Sequence, residues 1–468
     1  MKKSDQALTV PQANQVGFEK FQAGRLSEAE AIFLQVVAVD PANVTALEML
    51  GCIADQTGRH QQAIDYFKLA IRHKPDDPFL HFNMGVSLHD QGRLNEALGC
   101  YRKAISLKPD HTKAHNRLGM TLQQLGKPDE ALPCYRIALT LAPRSAEIHN
   151  NLGAALYKLG RIREAEACYR NALEINPDFA DALGNLGVAL QNLGGSDEAL
   201  DCYRRALTID PKHTETYNNQ GTALQDLRRY DEALNSYRQA IALKPDYAEA
   251  YCNLSTLLYG TGRGAEAVAA LNECLRIAPR HAKAHLYQML NYLPIVPADS
   301  EEAVKGVEKF DAMFRDWASW VSLPEMREAA AGVVGDRQPF YLAYRPGNQR
   351  ERLSRFGDLT SGLMAERWPN AMPHRTAAPL QRVKLAIVSA HIRQHSVWDI
   401  VLHGLLAHLD GMRFETILIH TSIKEDAVTT LAKTLATKYH GGCTDLERCL
   451  QIRRKAQQRR WQIPEQLR

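Results

Sequence analysis

The chain has 468 residues, of which 45% are apolar and 24% are charged, and its formal net charge is +4. This composition is typical of a folded protein and excludes collagen-like and intrinsically disordered chains. No apolar run approaches the roughly 20 residues that cross a bilayer, and the N-terminus MKKSDQALTVPQ lacks the apolar core of a secretion signal, so we expect a cytoplasmic protein without a membrane partner.

The positive charge is concentrated at the C-terminus. Residues 443–468 contain seven Lys or Arg and three Asp or Glu, whereas residues 1–442 are electrically balanced. Because a nucleic-acid-binding domain carries a basic surface, we expect no nucleic-acid partner. We interpret residues 1–9 as an N-terminal tail and residues 443–468 as a basic tail.

A period of 34 residues organises residues 10–281. Glycine recurs at this interval in the first seven repeats, at Gly17, Gly51, Gly85, Gly119, Gly153, Gly187 and Gly221. Ser255 occupies the same position in the eighth repeat. Alanine follows 12 residues later, at Ala29, Ala63, Ala97, Ala131, Ala165, Ala199, Ala233 and Ala267. Proline closes each period, at Pro41, Pro75, Pro109, Pro143, Pro177, Pro211, Pro245 and Pro279. The pattern resembles the tetratricopeptide repeat, which implies eight pairs of helices, A and B, in a right-handed superhelix with helix A on the concave surface.

Other recurrent residues fit this architecture. Small Gly and Ala residues let the two helices of a repeat approach closely. An aromatic residue is predicted to fill the space beside the next repeat, at Phe33, Phe67, Tyr101, Tyr135, Tyr169, Tyr203 and Tyr237. Helix B is predicted to be capped by Ser27, Asn95, Asp129, Asp197 and Asp231. It is predicted to end before the proline, which cannot continue a helix.

A polar series lies on helix A, two positions before each glycine: Asn83, Arg117, Asn151, Asn185, Asn219 and Asn253. It is rotated away from an apolar stripe formed by Leu88, Leu122, Leu156, Leu190, Leu224 and Leu258. An asparagine amide offers a donor and an acceptor to a peptide backbone, so the five asparagines predict a ladder that binds extended polypeptide segments. The alternative is a polar solvent-facing surface that was copied with a duplicated repeat. Gln15 and Met49 depart from the series in the first two repeats.

One cysteine per helix B also recurs with the 34-residue period: Cys100, Cys134, Cys168 and Cys202. Equivalent atoms in successive repeats should lie about 10 Å apart, beyond the reach of a disulfide. No pair of cysteines has the spacing of a zinc site. We therefore interpret these cysteines as reduced packing residues, with a redox role as the alternative.

Residues 282–368 are predicted to form capping and connector helices. The first follows Pro279, the second begins at Asp299 with Glu302 completing a capping box, and the third runs from Asn348 to Trp368. Three prolines in PNAMPHRTAAPLQ identify residues 369–381 as a linker.

Residues 382–442 differ from everything before them. Val383–Val388 and Phe414–His420 are predicted strands, joined by an apolar helix over Val397–Leu409, which makes a parallel βαβ unit. Ligands in such folds bind beyond the carboxyl ends of the strands, where His391 and His395 lie. A second helix is predicted over AVTTLAKTLATKY, and no third apolar strand is predicted after Gly442.

The stretches VKLAIVSAHIRQHS and DGMRFETILIHTS resemble the start of the catalytic region of the O-linked N-acetylglucosamine transferase family, which includes the plant SPINDLY proteins. Asparagine ladders are also a feature of that family's repeat domain, where they hold extended polypeptide substrates. The resemblance implies a Rossmann-like lobe, UDP-N-acetylglucosamine as the donor, and a catalytic position for His395 near the acceptor and the donor phosphates. His391 stands where the family more often has an acidic residue. The resemblance leaves the cofactor-binding residues unknown and predicts no cofactor besides the sugar donor, and two histidines without a third ligand predict no metal site.

Two functions therefore remain open. The first is a protein O-linked glycosyltransferase, which transfers a sugar from a UDP-sugar to Ser or Thr. The second is a non-catalytic scaffold for protein–protein interaction. Because the family has two Rossmann-like lobes and only the start of one is predicted here, we expect a C-terminally truncated catalytic region that is inactive alone. A clamp for acidic chain ends is disfavoured because the ladder is mostly neutral. The predicted fold is thus mostly α, with a repeat superhelix, a helical connector and the start of a Rossmann-like α/β lobe.

Overall fold

The computed structural model describes residues 8–293, 299–334, 339, 349–367, 383–389, 414–420, 427–436 and 438–440. The chain divides into two compact units, one formed by residues 1–192 with 198–211 and the other by residues 193–197 with 212–468. The described part is mostly helical and has a small parallel sheet near its C-terminus. Within these ranges, no helix is both long and apolar enough to cross a membrane.

Eight pairs of helices follow one another between residues 10 and 277. Helix A has 13 residues in every repeat: α1 (Val10–Gln22), α3 (Val44–Gln56), α5 (Pro78–Asp90), α7 (Thr112–Gln124), α9 (Ala146–Lys158), α11 (Ala180–Asn192), α13 (Thr214–Asp226) and α15 (Ala248–Gly260). Helix B has 14 residues in every repeat: α2 (Leu26–Val39), α4 (His60–His73), α6 (Leu94–Leu107), α8 (Pro128–Leu141), α10 (Ile162–Ile175), α12 (Ser196–Ile209), α14 (Tyr230–Leu243) and α16 (Gly264–Ile277). Each helix B ends two residues before the recurrent proline, as the sequence predicted.

The predicted caps of helix B are wrong. Helix B begins two residues earlier than expected, so the five proposed caps lie inside its first turn: Ser27, Asn95, Asp129, Asp197 and Asp231. In four of these repeats the residue immediately before helix B is basic: Arg25, Arg93, Lys127 and Arg229. Arg93 donates two hydrogen bonds of 2.7 Å to Glu96 in the first turn. A carboxylate there also interacts favourably with the positive end of the helix dipole, so the Arg–Glu pair takes the place of a capping hydroxyl or amide.

The recurrent glycine of helix A lies under the aromatic ring of helix B in the same repeat. A Cβ atom added to Gly51 would lie 2.5 Å from Phe67 Cε1, and one added to Gly187 would lie 2.5 Å from Tyr203 Cε1. Phe67 also shares a buried cluster with Leu80 of the next repeat. The ring therefore packs against its own repeat as well as against the following one, which is more than the sequence predicted.

Four further helices follow the repeats in the second unit: α17 (Ala282–Asn291), α18 (Ser300–Ser322), α19 (Pro324–Val333) and α20 (Arg350–Arg367). Asp299 caps α18 as predicted, because its side chain accepts a hydrogen bond of 2.7 Å from the amide of Glu302. Leu271 of the eighth repeat lies in one buried cluster with Phe310, Trp317 and Phe356. These helices thus cover the apolar end of the array.

The described C-terminal residues form a three-stranded parallel sheet in the order β1 (Val383–Ser389), β2 (Phe414–His420), β3 (Lys438–His440). Val383 pairs with Phe414, and Ile417 pairs with Lys438. Between β2 and β3 lies α21 (Ala427–Leu435), whose Ala432 is buried with Leu418.

The third strand corrects the sequence prediction. The helix expected to continue to Tyr439 ends at Leu435, and a third strand follows it where the sequence predicted only two strands. The residues after Gly442, where no apolar strand was predicted, lie outside the described residues. The predicted helix over residues 397–409 lies outside the described residues.

Candidate peptide-binding groove

The predicted ladder and the predicted packing stripe occupy different faces of helix A. The six ladder residues are all half-buried: Asn83, Arg117, Asn151, Asn185, Asn219 and Asn253. The six leucines of the stripe are all 5% exposed or less. The ladder side chains are therefore held against the helical surface but remain accessible, which a binding residue requires.

Three ladder asparagines form hydrogen bonds between repeats. Asn151 Nδ2 donates to Asn116 Oδ1 over 3.1 Å, and Asn185 Nδ2 donates to Asn150 Oδ1 over 2.9 Å. Within the second unit, Asn253 Nδ2 donates to Asn218 Oδ1 over 3.0 Å. Each acceptor lies 35 residues earlier and is buried. The buried asparagine therefore fixes the orientation of the ladder amide in the next repeat.

These bonds determine which polar atom of each ladder residue is available. Among the described residues, no group donates a hydrogen bond to Oδ1 of Asn151, Asn185 or Asn253. A carboxamide has two acceptor lone pairs on this oxygen and two N–H donors on the nitrogen. With one N–H fixed by the neighbouring repeat, each rung presents a carbonyl oxygen that can accept an N–H group of a bound chain.

Two of the asparagine rungs differ from this arrangement. Asn83 Nδ2 lies 3.4 Å from Glu48 Oε1 and 3.9 Å from Cys52 Sγ. Burial and the nearby Asp77 raise the pKa of Glu48, and burial raises the pKa of Cys52 to about 12. Asn219 instead accepts a hydrogen bond of 3.4 Å from Asn218 through its Oδ1.

The acceptor series was missed by the sequence prediction. It consists of the residue immediately before a ladder position, namely Asn116, Asn150 and Asn218. The adjacent asparagines at 150–151 and 218–219 were a visible signal. Two neighbouring residues on a helix point about 100° apart, which allows one to be buried while the next reaches the surface.

A pocket of about 410 Å³ opens beside the ladder in the first unit. Helix A of the second, third and fourth repeats supplies most of its lining, including Asp55, Asn83 and Arg117. Phe82 contributes apolar surface to the same pocket. The pocket therefore combines apolar, amide and charged groups at the rung where arginine replaces asparagine.

One cluster of possible metal ligands lies next to this pocket. The donor atoms of Asp55, His60 and Asp90 lie within 4.8 Å of one another. Asp55 already accepts a hydrogen bond of 2.6 Å from Ser87, and His60 Nδ1 lies 2.9 Å from the same oxygen. Because contacts within the protein account for these positions, the cluster does not indicate a metal site.

The candidate catalytic histidine cannot be placed in this geometry. His395 and His391 both lie outside the described residues, as do the linker and the basic tail. The strand that precedes them, β1, is parallel to β2, and its carboxyl end is at Ser389.

Two family profiles match the repeats. Residues 19–78 match a tetratricopeptide-repeat family, and residues 80–289 match the C-terminal domain of cilia and flagella-associated protein 70. The array is a tetratricopeptide-repeat domain. Neither profile that matches the tetratricopeptide-repeat domain describes a glycosyltransferase. No curated protein sequence matches the chain significantly.

Solved structures of helical proteins resemble the tetratricopeptide-repeat domain. One is the APC/C hetero-tetramer Cut9–Hcn1, with 19% identity, a TM-score of 0.48, and coverage of 57% of this chain and 52% of that chain. Two are structures of MamA, each with a TM-score of 0.32. One has 24% identity and covers 37% of this chain and 94% of that chain. The other has 25% identity and covers 36% of this chain and 97% of that chain. The chain thus spans about half the length of the Cut9–Hcn1 chain that it matches.

Proposed function

We propose that the tetratricopeptide-repeat domain binds extended polypeptide segments of protein partners along its asparagine ladder. The observation that carries the proposal is the fixed orientation of Asn151, Asn185 and Asn253, each held by a hydrogen bond of 2.9–3.1 Å and each left with a free carbonyl oxygen. A polar surface that merely faces solvent has no need of buried partners that hold its amides in place. Preorganised amides lower the entropy that is lost when a ligand binds.

The spacing of the rungs supports an extended ligand. Neighbouring packed helices are about 8–10 Å apart, and three residues of an extended chain span about 10 Å. In the extended polyproline II conformation, which has about three residues per turn and a rise of about 3.1 Å, every third backbone N–H points the same way and can therefore reach a rung. A helical ligand rises only about 1.5 Å per residue and buries its own N–H groups in internal hydrogen bonds, so it would not use the free carbonyl oxygens.

The test is a triple variant in which Asn151, Asn185 and Asn253 are changed to alanine. Peptides selected from a random display library on the wild-type protein are then titrated against both proteins by fluorescence anisotropy. Each lost hydrogen bond should weaken binding by about 0.5–1.5 kcal/mol, so the loss over three rungs should be clearly measurable. Unchanged affinity would show that the ladder does not bind the peptide and is only a solvent-facing surface.

A matched control separates binding from folding. Asn192 also lies on a helix A and donates a hydrogen bond of 2.8 Å to Tyr157, but it is not a ladder residue. Asn192→Ala should leave the peptide affinity unchanged. Thermal unfolding of both variants would show whether a loss of affinity in the triple variant came from loss of structure.

We propose a second candidate function, transfer of a sugar from a UDP-sugar to Ser or Thr, for the C-terminal region. It is supported by the parallel pairing of β1 with β2 and of β2 with β3, since a parallel sheet with connecting helices is the architecture of Rossmann-like lobes. In this proposal His395 donates to a phosphate oxygen or accepts the proton of the acceptor hydroxyl, for which a pKa near neutrality is suitable. Sequence resemblance is its other support, and we rank it second.

Assays of sugar transfer distinguish the two functions. Radiolabelled UDP-N-acetylglucosamine is incubated with the purified 468-residue protein and a peptide rich in Ser and Thr, and with the His395→Ala variant. We expect no transfer by this chain, because stabilisation of the leaving diphosphate is a large catalytic term and His395 is the one residue that we assign to it. Transfer that disappears in the His395→Ala variant would establish the enzymatic function and place it first.

A further inference from the structure

Arg117 is the one charged residue of the ladder, and it lacks the partner that other rungs have. The residue 35 positions before it is Phe82, whereas the residues 35 positions before Asn83, Asn151, Asn185 and Asn253 are Glu48, Asn116, Asn150 and Asn218. A phenyl ring has no hydrogen-bond acceptor to match those side chains. Arg117 and Phe82 line the same 410 Å³ pocket.

The guanidinium of Arg117 is not paired with a carboxylate in the part of the chain that the structure describes. Among the described residues, no hydrogen bond or ion pair to this group is present, although the side chain is half-buried. Arginines that begin helix B behave differently. Arg93 and Arg161 each form two hydrogen bonds of 2.6–2.7 Å with the glutamate three residues later. An unpaired cation in a pocket, where its hydration is reduced, favours an anionic ligand.

A second cation lies on the same side of the pocket. Lys113 precedes Arg117 by one helical turn, lines the same pocket and likewise forms no ion pair with a described residue. The two carboxylates of the lining have other partners. Asp55 accepts from Ser87, and Glu147 accepts a hydrogen bond of 2.9 Å from Asn116. The pocket therefore contains two cations and two carboxylates, and within the described residues neither cation forms an ion pair with a carboxylate.

We infer that this pocket binds a carboxylate of the polypeptide that lies along the ladder, and that the carboxylate belongs to an internal Asp or Glu side chain. The inference rests on the proposed function and adds the charge of the ligand to it. The ladder continues on both sides of Arg117 in the first unit, with Asn83 before it and Asn151 and Asn185 after it. A chain that contacts these rungs passes through the pocket instead of ending there.

The pocket dimensions and chemistry fit a single acidic side chain. Its volume of about 410 Å³ accommodates one side chain with the adjoining backbone but no folded element. Phe82 offers apolar surface to the methylene groups of the ligand, and the planar guanidinium of Arg117 matches the two oxygens of a carboxylate. Lys113 adds a more exposed charge at the rim.

The test uses acetylated and amidated fluorescent peptide pools of about 12 residues, which at ~3.3 Å per residue extend beyond the pocket on both sides. The pools share degenerate Ser, Thr, Ala and Val positions and differ only at the central residue, which is Glu or Gln. A third pool has Gln at the centre and a free C-terminal carboxylate. We expect the Glu pool to bind the wild-type protein about tenfold more tightly than the Gln pool, as for a charge-assisted hydrogen bond, with the difference shrinking at high salt.

Three variants connect this preference to the pocket. Arg117→Asn gives this rung the same residue as the other five. It should abolish the preference for Glu without reducing the affinity for the Gln pool. Lys113→Gln should reduce the preference by a smaller factor, because that side chain is exposed. Arg102→Asn removes the same charge from an exposed position on helix B and should leave the preference unchanged. Thermal unfolding verifies that each variant is folded.

The outcomes separate this inference from the function on which it rests. Equal binding of the Glu and Gln pools would overturn the inference and leave the polypeptide-binding function intact. Preference for the pool with a free C-terminal carboxylate would overturn the internal position, since the pocket would then receive a chain end. Binding of none of the pools to the wild-type protein would overturn both.

Discussion

Asn185 donates a hydrogen bond of 2.9 Å to Asn150, which lies in the preceding repeat and 35 residues earlier in the sequence. Asn150 is 8% exposed, whereas Asn185 is half-buried. In the proposed function, this pair prepares the surface of the repeat domain for binding. One asparagine is buried between helices, and its carbonyl oxygen fixes the amide that the next repeat presents.

The first prediction concerns this buried partner. Asn150→Ala removes the acceptor of Asn185 without removing a ladder residue. The free energy of unfolding should fall by about 0.5–1.5 kcal/mol, and peptide affinity should also fall because the amide of Asn185 is no longer oriented. Urea unfolding and anisotropy titration measure the two effects. A loss of stability with full affinity would mean that the orientation of Asn185 is irrelevant to binding.

The second prediction concerns the contact of glycine with the aromatic ring. In the Gly51→Ala variant the new Cβ would lie 2.5 Å from Phe67 Cε1, so the ring and the helices must move apart. We expect a loss of about 1–3 kcal/mol in the free energy of unfolding, as for other overpacked cores. Urea denaturation measures the loss, and the additional change Phe67→Leu should restore part of it.

Gly99 provides the matched control for this substitution. It lies in α6, is exposed, and a Cβ added there would meet no atom within 4 Å. Gly99→Ala should raise stability by about 0.5–1 kcal/mol, because alanine loses less backbone freedom on folding than glycine does. If both substitutions have the same effect, the close approach at Gly51 is not a determinant of stability.

The periodic sequence predicted the helices well because the periodic residues are packing residues. Gly, Ala, the aromatic residue and Pro each have a local steric role, and that role repeats in every pair of helices. The predicted caps of helix B were wrong for a related reason. Asn95 has the chemistry of a cap, but the turn places Arg93 at the helix start, where it pairs with Glu96. Side-chain chemistry alone does not fix a helix boundary to one residue.

The candidate site was predictable only in part. The ladder positions follow from the angle between successive residues on a single helix, and this angle can be applied directly to the sequence. The acceptors Asn116, Asn150 and Asn218 depend on how one repeat is offset against the next, and this offset is a property of packing between repeats. The first two residues of the third strand, Lys438–His440, were assigned to a helix because a three-residue strand is too short to show an alternating pattern.

The third prediction concerns the recurrent cysteines. Burial raises the pKa of Cys100 and Cys202 to about 11 and also raises the pKa values of Cys134 and Cys168. All seven described cysteines are free thiols. In the folded protein at pH 8, iodoacetamide should therefore react slowly with all four. The half-buried Cys134 and Cys168 should react before the buried Cys100 and Cys202.

Peptide mass spectrometry under non-reducing conditions measures the order of labelling. Urea should make the four cysteines equally reactive, which serves as the control for intrinsic differences between the peptides. A disulfide between cysteines of successive repeats would contradict the packing described here, since it requires Cα atoms within about 7 Å.

The last prediction concerns the pH dependence of stability. His111 precedes α7, and its Nδ1 accepts a hydrogen bond of 3.2 Å from the amide of Ala114. Its ring lies 5.2 Å from the ring of Phe79 and 4.8 Å from that of Phe82. Burial, and then the positive charge of Lys108, lower the pKa of His111. The folded state therefore favours neutral His111, in which Nδ1 remains an acceptor.

The sign of the effect follows from proton binding. Below the ordinary histidine pKa of about 6.5, the unfolded chain binds a proton at His111 more readily than the folded chain does. The contribution of this residue to the free energy of unfolding should therefore fall as the pH decreases from about 6.5 through the lowered pKa of the folded state.

His111→Asn keeps a capping acceptor and removes the titration, so its unfolding free energy should depend less steeply on pH in that window. Ser145→Asn exchanges one cap for another in the next repeat without touching a titrating group and should keep the wild-type slope. Urea unfolding of the three proteins between pH 5 and 7.5, from about 1.5 units below 6.5 to about one unit above it, measures the slopes. Equal slopes for the wild-type protein and His111→Asn would show that protonation of this cap does not affect folding.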